Sequence, residues 1–146
     1  MKKLFVLLAG ALMVASVAWA ADEEIKELDA NKLPPITKSI LKSYFPGTEV
    51  VKATKSKSKV RNSFNVSLND GTELEFDKDG QWQRVYCGGK PVPKNMVNLR
   101  VISYLESSFP GAEVVLMEKD KKGNYLMQLS DGTELHFDNQ FRPMEQ

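Results

Sequence analysis

Cysteine and histidine are almost absent from this sequence, and their scarcity excludes several kinds of site. The 146 residues contain one cysteine, Cys87, and one histidine, His136. A single cysteine cannot form a disulfide within the chain, so buried apolar side chains must stabilise the fold. A single histidine leaves mostly carboxylates to build a zinc site, and neither a catalytic-triad spacing nor a GxSxG motif is present. The sequence therefore predicts no enzyme: no catalytic residue, no metal site and no cofactor.

An excess of charge of either sign is also lacking. Lysine and arginine number 20, aspartate and glutamate number 19, and the formal net charge is +1. Loss of residues 1–20, which include two lysines, would lower that charge by two, to −1. A nearly neutral chain does not offer the basic face on which nucleic-acid binding depends, so we expect no nucleic-acid partner.

The first 20 residues have the pattern of a secretory signal peptide. Lys2 and Lys3 precede an apolar run, and Ala18-Trp19-Ala20 has the A-x-A form of a cleavage site. The run is shorter than the ~20 apolar residues that a membrane-spanning helix requires, and no basic stop-transfer segment follows it. We therefore predict a soluble mature protein that starts at Ala21 in the periplasm, with no membrane attachment after cleavage.

Two short motifs occur twice, in the same order. FPG occupies positions 45–47 and 109–111, an offset of 64, and DGTEL occupies positions 70–74 and 131–135, an offset of 61. The three-residue difference falls between the motifs, where a hairpin tip tolerates insertions. We interpret the pattern as a tandem duplication, with repeats at 33–87 and 92–146, a Gly- and Pro-rich linker at 88–91 and an N-terminal lead at 21–32.

Each repeat begins with a helical pattern of apolar residues. Their spacing predicts the inward positions Ile36, Ile40, Leu41 and Tyr44 in the first repeat, and Met96, Leu99, Ile102, Leu105 and Phe109 in a longer helix that opens at Pro93. Both helices must end before FPG, because a residue that precedes proline disfavours the helical conformation and glycine permits a turn. We expect Phe45 and Phe109 to fill the corner between helix and sheet.

Alternating apolar and polar residues follow each helix. Phe64, Val66 and Leu68 alternate with polar residues, as in a half-buried strand, and an Asp-Gly turn then leads to a second alternating segment. The second repeat has the same pattern. We expect one helix and about four antiparallel strands in each repeat, so the predicted fold class is α+β.

The repeated order of LeuPro or ValPro, helix, FPG, apolar strand, DGTEL, FD and a Trp or Phe strand resembles the putative β-lactamase-inhibitor-like, PepSY-like family of secreted bacterial proteins. The resemblance covers nearly all of the chain after residue 20. It implies a fold similar to that of β-lactamase inhibitor proteins, whose tandem repeats form a continuous concave sheet that is backed by helices and grips an enzyme. The inhibitor repeats are braced by disulfides, which this chain cannot form, so no inhibitory residue is transferred to it.

The outward strand positions form the predicted binding site. Successive strand residues point to opposite sides of a sheet, so the residues that alternate with the core share the solvent-facing side. We predict that this side binds a periplasmic protein partner. The predicted face comprises Asn65, Ser67, Glu73, Glu75, Leu126, Gln128, Glu134 and His136. The alternative is a small-ligand or cation sensor built from Glu73, Glu75, Glu134, Asp138 and His136.

Three other features have simpler interpretations. The sequence DKDG at 77–80 begins like a calcium loop, but its twelfth position is Gly88 instead of glutamate, so a hairpin turn is favoured. The basic run at 52–61 is interpreted as a solvated hairpin tip, with binding of an acidic partner or of phosphate groups as the alternative. Cys87 is expected to be a buried apolar residue in preference to a reactive thiol.

Overall fold

The computed structural model describes residues 24–57 and 62–145. The predicted signal peptide and the end of the basic run lie outside these residues. Eight strands form one antiparallel sheet in which the spatial order of the strands is their order in the sequence.

The elements follow one another in two similar series. The first consists of β1 (Glu24–Glu27), a 3-10 turn (Ala30–Lys32), α1 (Pro35–Tyr44), β2 (Val50–Lys57), β3 (Asn62–Leu68), β4 (Glu73–Asp77) and β5 (Trp82–Tyr86). The second consists of a 3-10 turn (Lys94–Met96), α2 (Leu99–Ser108), β6 (Val114–Lys119), β7 (Tyr125–Leu129) and β8 (Glu134–Phe137). Strand β1 lies within the N-terminal lead at 21–32, where the sequence analysis predicted no strand.

One hydrophobic core joins both helices to the same side of the sheet. Ile40 of α1 and Val101 of α2 belong to a single buried cluster that includes residues from every strand between β2 and β8. Phe76 of β4 and Phe137 of β8 are fully buried in it. We call this side of the sheet the inner face and the opposite side the outer face. The α+β class is confirmed, and the two halves share one continuous sheet.

The FPG motifs form the corners between helix and sheet, as predicted. The backbone N–H of Phe45 donates to the carbonyl of Leu41 over 2.9 Å, which closes the last turn of α1. Gly47 then takes a φ of 79°, and Gly111 takes 82° at the equivalent place. Phe45 is buried, whereas Phe109 is only half-buried and packs against the ring of Tyr104.

Of the predicted inward helix positions, Ile40 and Leu105 are buried and five more are partly buried against the core, but the predictions for two positions are wrong. Ile36 is 43% exposed and Leu99 is 78% exposed, while the fully buried positions are Thr37 and Val101, which are equivalent in the two halves. Helix α2 is also shorter than predicted, because the side chain of Asn98 accepts a hydrogen bond from the backbone N–H of Arg100 and caps the helix there. Leu99 is therefore the first residue of α2 and lies outside the core.

The second half has three strands instead of the predicted four. After β8 the chain makes a turn, and only an isolated bridge between Phe137 and Pro143 continues the pairing. Two backbone hydrogen bonds flank this bridge, from the N–H of Asp138 to the carbonyl of Arg142 and from the N–H of Met144 to the carbonyl of His136. The halves are joined by pairing of β5 with β6, where Val85 lies opposite Met117 and Tyr86 opposite Leu116.

Aspartate side chains stabilise the hairpin turns. The Oδ1 atom of Asp77 accepts hydrogen bonds from the backbone N–H groups of Asp79 and Gln81. This is the Asx geometry of a turn, so the turn interpretation of DKDG is confirmed. Cys87 is 4% exposed, which confirms its predicted burial, and burial raises the pKa of its thiol.

Candidate functional site

The eight predicted binding residues lie opposite one another in four cross-strand pairs. The pairs are Asn65 with Glu75, Ser67 with Glu73, Leu126 with His136, and Gln128 with Glu134. All of them alternate with core residues, so they belong to the outer face, which neither helix covers. Five are half-buried, and the exposed three are Glu73, Glu134 and His136. The structure thus brings the residues together within each half of the sheet.

Strands β5 and β6 separate the two groups and supply four outer-face residues that the sequence did not indicate. Arg84 lies opposite Glu118, and Tyr86 lies opposite Leu116. One row of cross-strand neighbours on the outer face is therefore Glu75, Arg84, Glu118 and Leu126. The next row is Glu73, Tyr86, Leu116 and Gln128. The outward orientation of the β6 residues could not be predicted from the sequence. Strand β6 begins with the continuous apolar run VVLM, which shows no alternation of apolar and polar residues.

The centre of the outer face is apolar. Leu116 is only 8% exposed, yet it does not belong to the core cluster on the inner face. Its cross-strand neighbours are Tyr86 and Gln128, which flank it on both sides. A β-bulge at Val115 shifts the register here, and such bulges bend a strand and increase its twist. The predicted Leu126 lies next to this centre, in the adjacent row.

Charged side chains frame the apolar centre. The Nε atom of Arg84 lies 3.4 Å from the Oε2 atom of Glu118, so an ion pair crosses the junction between the halves. Both side chains are more than 40% exposed, and a pair of this kind contributes at most about 1 kcal/mol to stability. Its larger consequence is that it places one cation and one carboxylate beside Tyr86 and Leu116.

A polar cavity of about 560 Å³ opens at one end of the outer face. Its lining includes Glu75 of the predicted face, Arg84, Glu118, and the two turns that follow β4 and β6. In the second turn, the backbone N–H groups of Asn124 and Lys122 donate to Asp120 and lower its pKa. The carboxylate of Asp120 therefore stabilises the turn in which it lies, through hydrogen bonds to the backbone of that turn.

The structure does not assemble the alternative cation set. Glu73 and Glu75 are on β4, whereas Glu134 and His136 are on β8, and four strand spacings separate these strands by about 19 Å. Asp138 accepts hydrogen bonds from the backbone of its own turn, chiefly from the N–H of Arg142, which lowers the pKa of Asp138. Within 24–57 and 62–145, no three His, Cys, Asp or Glu side chains are grouped so that they could hold a metal ion.

Solved structures of periplasmic proteins are similar to this chain. A protein described as a putative periplasmic protein of the DUF2874 family, from Bacteroides vulgatus, is 32% identical, with a TM-score of 0.78 over 84% of this chain and 95% of that one. Another, from Bacteroides thetaiotaomicron, is described as a putative calcium-regulated periplasmic protein. It is 30% identical, with a TM-score of 0.78 over 83% of this chain and 94% of that one.

None of the curated proteins matches this chain. No helix in the described part of the chain has both the length and the apolar composition needed to cross a membrane.

The family relationship extends over the last three strands of the first half and nearly all of the second. The family that is described as putative beta-lactamase-inhibitor-like, PepSY-like, matches residues 62–144, which extend from β3 to the end of the last turn. The matched part includes both central strands and most of the outer face. The chain belongs to this putative beta-lactamase-inhibitor-like, PepSY-like family.

Proposed function

We propose that the protein is a non-enzymatic periplasmic binding protein that recognises a protein partner through its outer face. The apolar centre at Tyr86 and Leu116, framed by the Arg84–Glu118 pair, is the observation that carries the proposal. Protein interfaces characteristically have an apolar, aromatic-rich centre within a polar rim. Tyrosine and arginine are also the residues in which binding energy tends to concentrate. The inhibitor-like description of the family supports the same class of function.

We further propose that the face arose by duplication of the segments 33–87 and 92–146. Residues of the first group then have equivalents in the second, with Ser67 matching Gln128 and Glu73 matching Glu134 at an offset of 61. Other equivalent positions differ in chemistry, since Glu75 matches His136. The two ends of the face are therefore unlike, which suits one asymmetric partner better than two identical ones.

Charge reversal on the outer face should remove partner binding without unfolding the protein. The double variant Glu75→Lys with His136→Glu changes both ends of the face. Surface substitutions usually alter stability by within ~0.5 kcal/mol, so we expect an almost unchanged melting temperature. We expect the partner that immobilised wild-type protein captures from periplasmic extract to be lost. Capture measured by quantitative mass spectrometry, beside thermal unfolding of each variant, tests this.

A second double variant provides a matched control on the helical side. Lys38→Glu with Glu106→Lys reverses two exposed charges, on α1 and α2 respectively. We expect it to retain the partner. Loss of the partner in the control, together with retention in the outer-face variant, would place the interface on the helices and contradict the proposal.

Export by a cleavable signal peptide is also part of the proposal. The periplasmic descriptions of similar structures support it, together with the Ala18-Trp19-Ala20 pattern. We expect N-terminal sequencing of the exported protein to begin at Ala21. A membrane-bound product that still begins at Met1 would show that the segment is retained as an anchor.

A cation-sensing role is the second candidate, and the calcium-regulated description of the Bacteroides thetaiotaomicron relative favours it. Residues 24–57 and 62–145 group no three carboxylates for a metal ion, so such a site would rest on at most two of them, and Glu75 and Glu118 both line the polar cavity. A cation bound only to the folded state raises the melting temperature as its concentration increases. A calcium-dependent rise that magnesium does not reproduce, and that Glu118→Gln removes, would support this candidate over the first.

A further inference from the structure

A second cavity, of about 380 Å³, lies on the inner face at the edge of the core. Residues 95–99, which lead into α2, form one wall, and the ends of β6 and β7 form the other. Met117 and Met127 are buried at its base. We call it the aromatic pocket, because Trp82, Tyr125 and Phe141 also line it. Its volume lies within the range of small-molecule sites in proteins.

The three aromatic rings pack against one another in series along one wall of the pocket, with Tyr125 in contact with both of the others. The ring centroids of Tyr125 and Phe141 are 4.3 Å apart with an interplanar angle of 20°, which is a stacked arrangement. The rings of Trp82 and Tyr125 are 6.0 Å apart. All three side chains are half-buried, so part of this wall is open to a ligand.

Among the described residues, Lys119 is the one charged side chain that lines the aromatic pocket. Its Nζ atom lies 4.9 Å from the ring centroid of Trp82 and 5.7 Å from that of Tyr125. An ammonium group has three hydrogen-bond donors, and contact with aromatic faces does not use them as a carboxylate would. The pocket thus combines flat apolar surfaces with a single positive charge.

Phe141 takes a backbone conformation that favours glycine. Its φ is 62°, and it is the one residue other than glycine with a positive φ among those that the structure describes. The equivalent turn of the first half has Gly80, with a φ of 89°. Strained conformations of this type persist at sites where function requires the side chain. The phenyl ring that this residue supplies is the one stacked on Tyr125.

The first half has no room for such a pocket. A Cβ atom at Gly80 would lie 2.8 Å from the Cβ of Pro34 and 3.0 Å from the Oγ1 of Thr37, so α1 closes directly onto the turn. The lysine and the ring beneath it are nevertheless repeated, because Lys55 lies 5.7 Å from the ring centroid of Phe64. The lysine–aromatic pair is therefore common to both halves, and the open pocket is specific to the second.

We propose that the aromatic pocket binds a planar aromatic carboxylate. The ligand ring would lie against the wall of Trp82, Tyr125 and Phe141 and above the adaptable methionine side chains at the base. Its carboxylate would accept hydrogen bonds from the ammonium group of Lys119. Apart from Lys119, which also lines the polar cavity, this site lies on the opposite side of the sheet from the outer face.

Three naphthalene derivatives that differ only in charge test the ligand class. We expect calorimetric titration of the purified protein to show saturable binding of 2-naphthoate, at least tenfold tighter than that of neutral 2-naphthylmethanol. The cationic 2-naphthylmethylamine should bind more weakly than either. Absence of saturable binding of 2-naphthoate, or equal affinity for the acid and the amine, would overturn the proposal.

Variants of the two equivalent lysines locate the site. Lys119→Gln should weaken 2-naphthoate at least tenfold and leave the affinity for 2-naphthylmethanol within twofold, with an unchanged melting temperature. Lys55→Gln is the matched control and should leave both affinities unchanged. Phe141→Gly should weaken both ligands, and because glycine suits the observed φ, relief of backbone strain should offset part of the stability lost with the ring. An equal loss in the Lys55 and Lys119 variants would show that the carboxylate binds elsewhere.

Discussion

Replacing Phe76 by alanine is expected to lower the free energy of unfolding by about 3–5 kcal/mol, the usual cost of removing a buried phenylalanine. Phe76 is fully buried on β4, between Phe64 of β3 and Trp82 of β5. Its removal would leave a cavity in the core that the surrounding strands, each held by two neighbours, could fill only in part. Denaturant titration of the wild type and the variant measures the change.

Phe109→Ala is the appropriate control for Phe76→Ala. Phe109 is also part of the helical side of the fold, but it is half-buried at the corner that follows α2. We expect a distinctly smaller loss there. A loss below 1 kcal/mol for Phe76→Ala, or equal losses at both positions, would contradict the position of Phe76 at the centre of the core.

Gly80→Ala is expected to destabilise the protein by about 2–5 kcal/mol. An L-residue with a left-handed backbone costs about 1–2 kcal/mol, and overpacking adds about 1–3 kcal/mol. Both costs apply, because Gly80 has a φ of 89° and its added Cβ would meet Pro34 and Thr37 of the first half. The Oγ1 of Thr37 also donates to the carbonyl of Gly80 over 3.0 Å, so a displaced turn would lose that hydrogen bond.

Gly71→Ala separates backbone strain from crowding. Gly71 has almost the same φ, 90°, but a Cβ built there has no heavy atom within 4 Å. We therefore expect only the backbone cost of about 1–2 kcal/mol. Chemical denaturation of both variants gives the comparison, and equal losses would mean that α1 does not pack against the turn at Gly80.

Local chemistry explains why much of the fold could be predicted from the sequence. Proline and glycine in FPG end each helix whatever lies around them, and the Asp-Gly pairs specify turns through their own backbone preferences. The alternation in β3, β4, β7 and β8 then places Asn65 and Glu75, or Leu126 and His136, on one side of the sheet. Each of these inferences needs only neighbouring residues.

The features that the sequence did not indicate depend on contacts between distant segments. Pairing of Tyr86 with Leu116 joins the two halves, and no local pattern predicts a register across 30 residues of chain. The buried face of α1 is set by the bond from Thr37 to the turn at Gly80, whereas hydrophobic spacing favoured Ile36. The aromatic pocket depends on Phe141 occupying a turn position where the first half has glycine.

Site-specific photo-crosslinking at Tyr86 tests the proposed function most directly. A photoreactive phenylalanine derivative placed there sits beside Leu116 at the centre of the outer face. The same residue placed at the exposed Lys38 of α1 samples the helical side. We expect one discrete adduct with a periplasmic protein at position 86 and none at position 38. An adduct at position 38, with none at position 86, would contradict the proposed function.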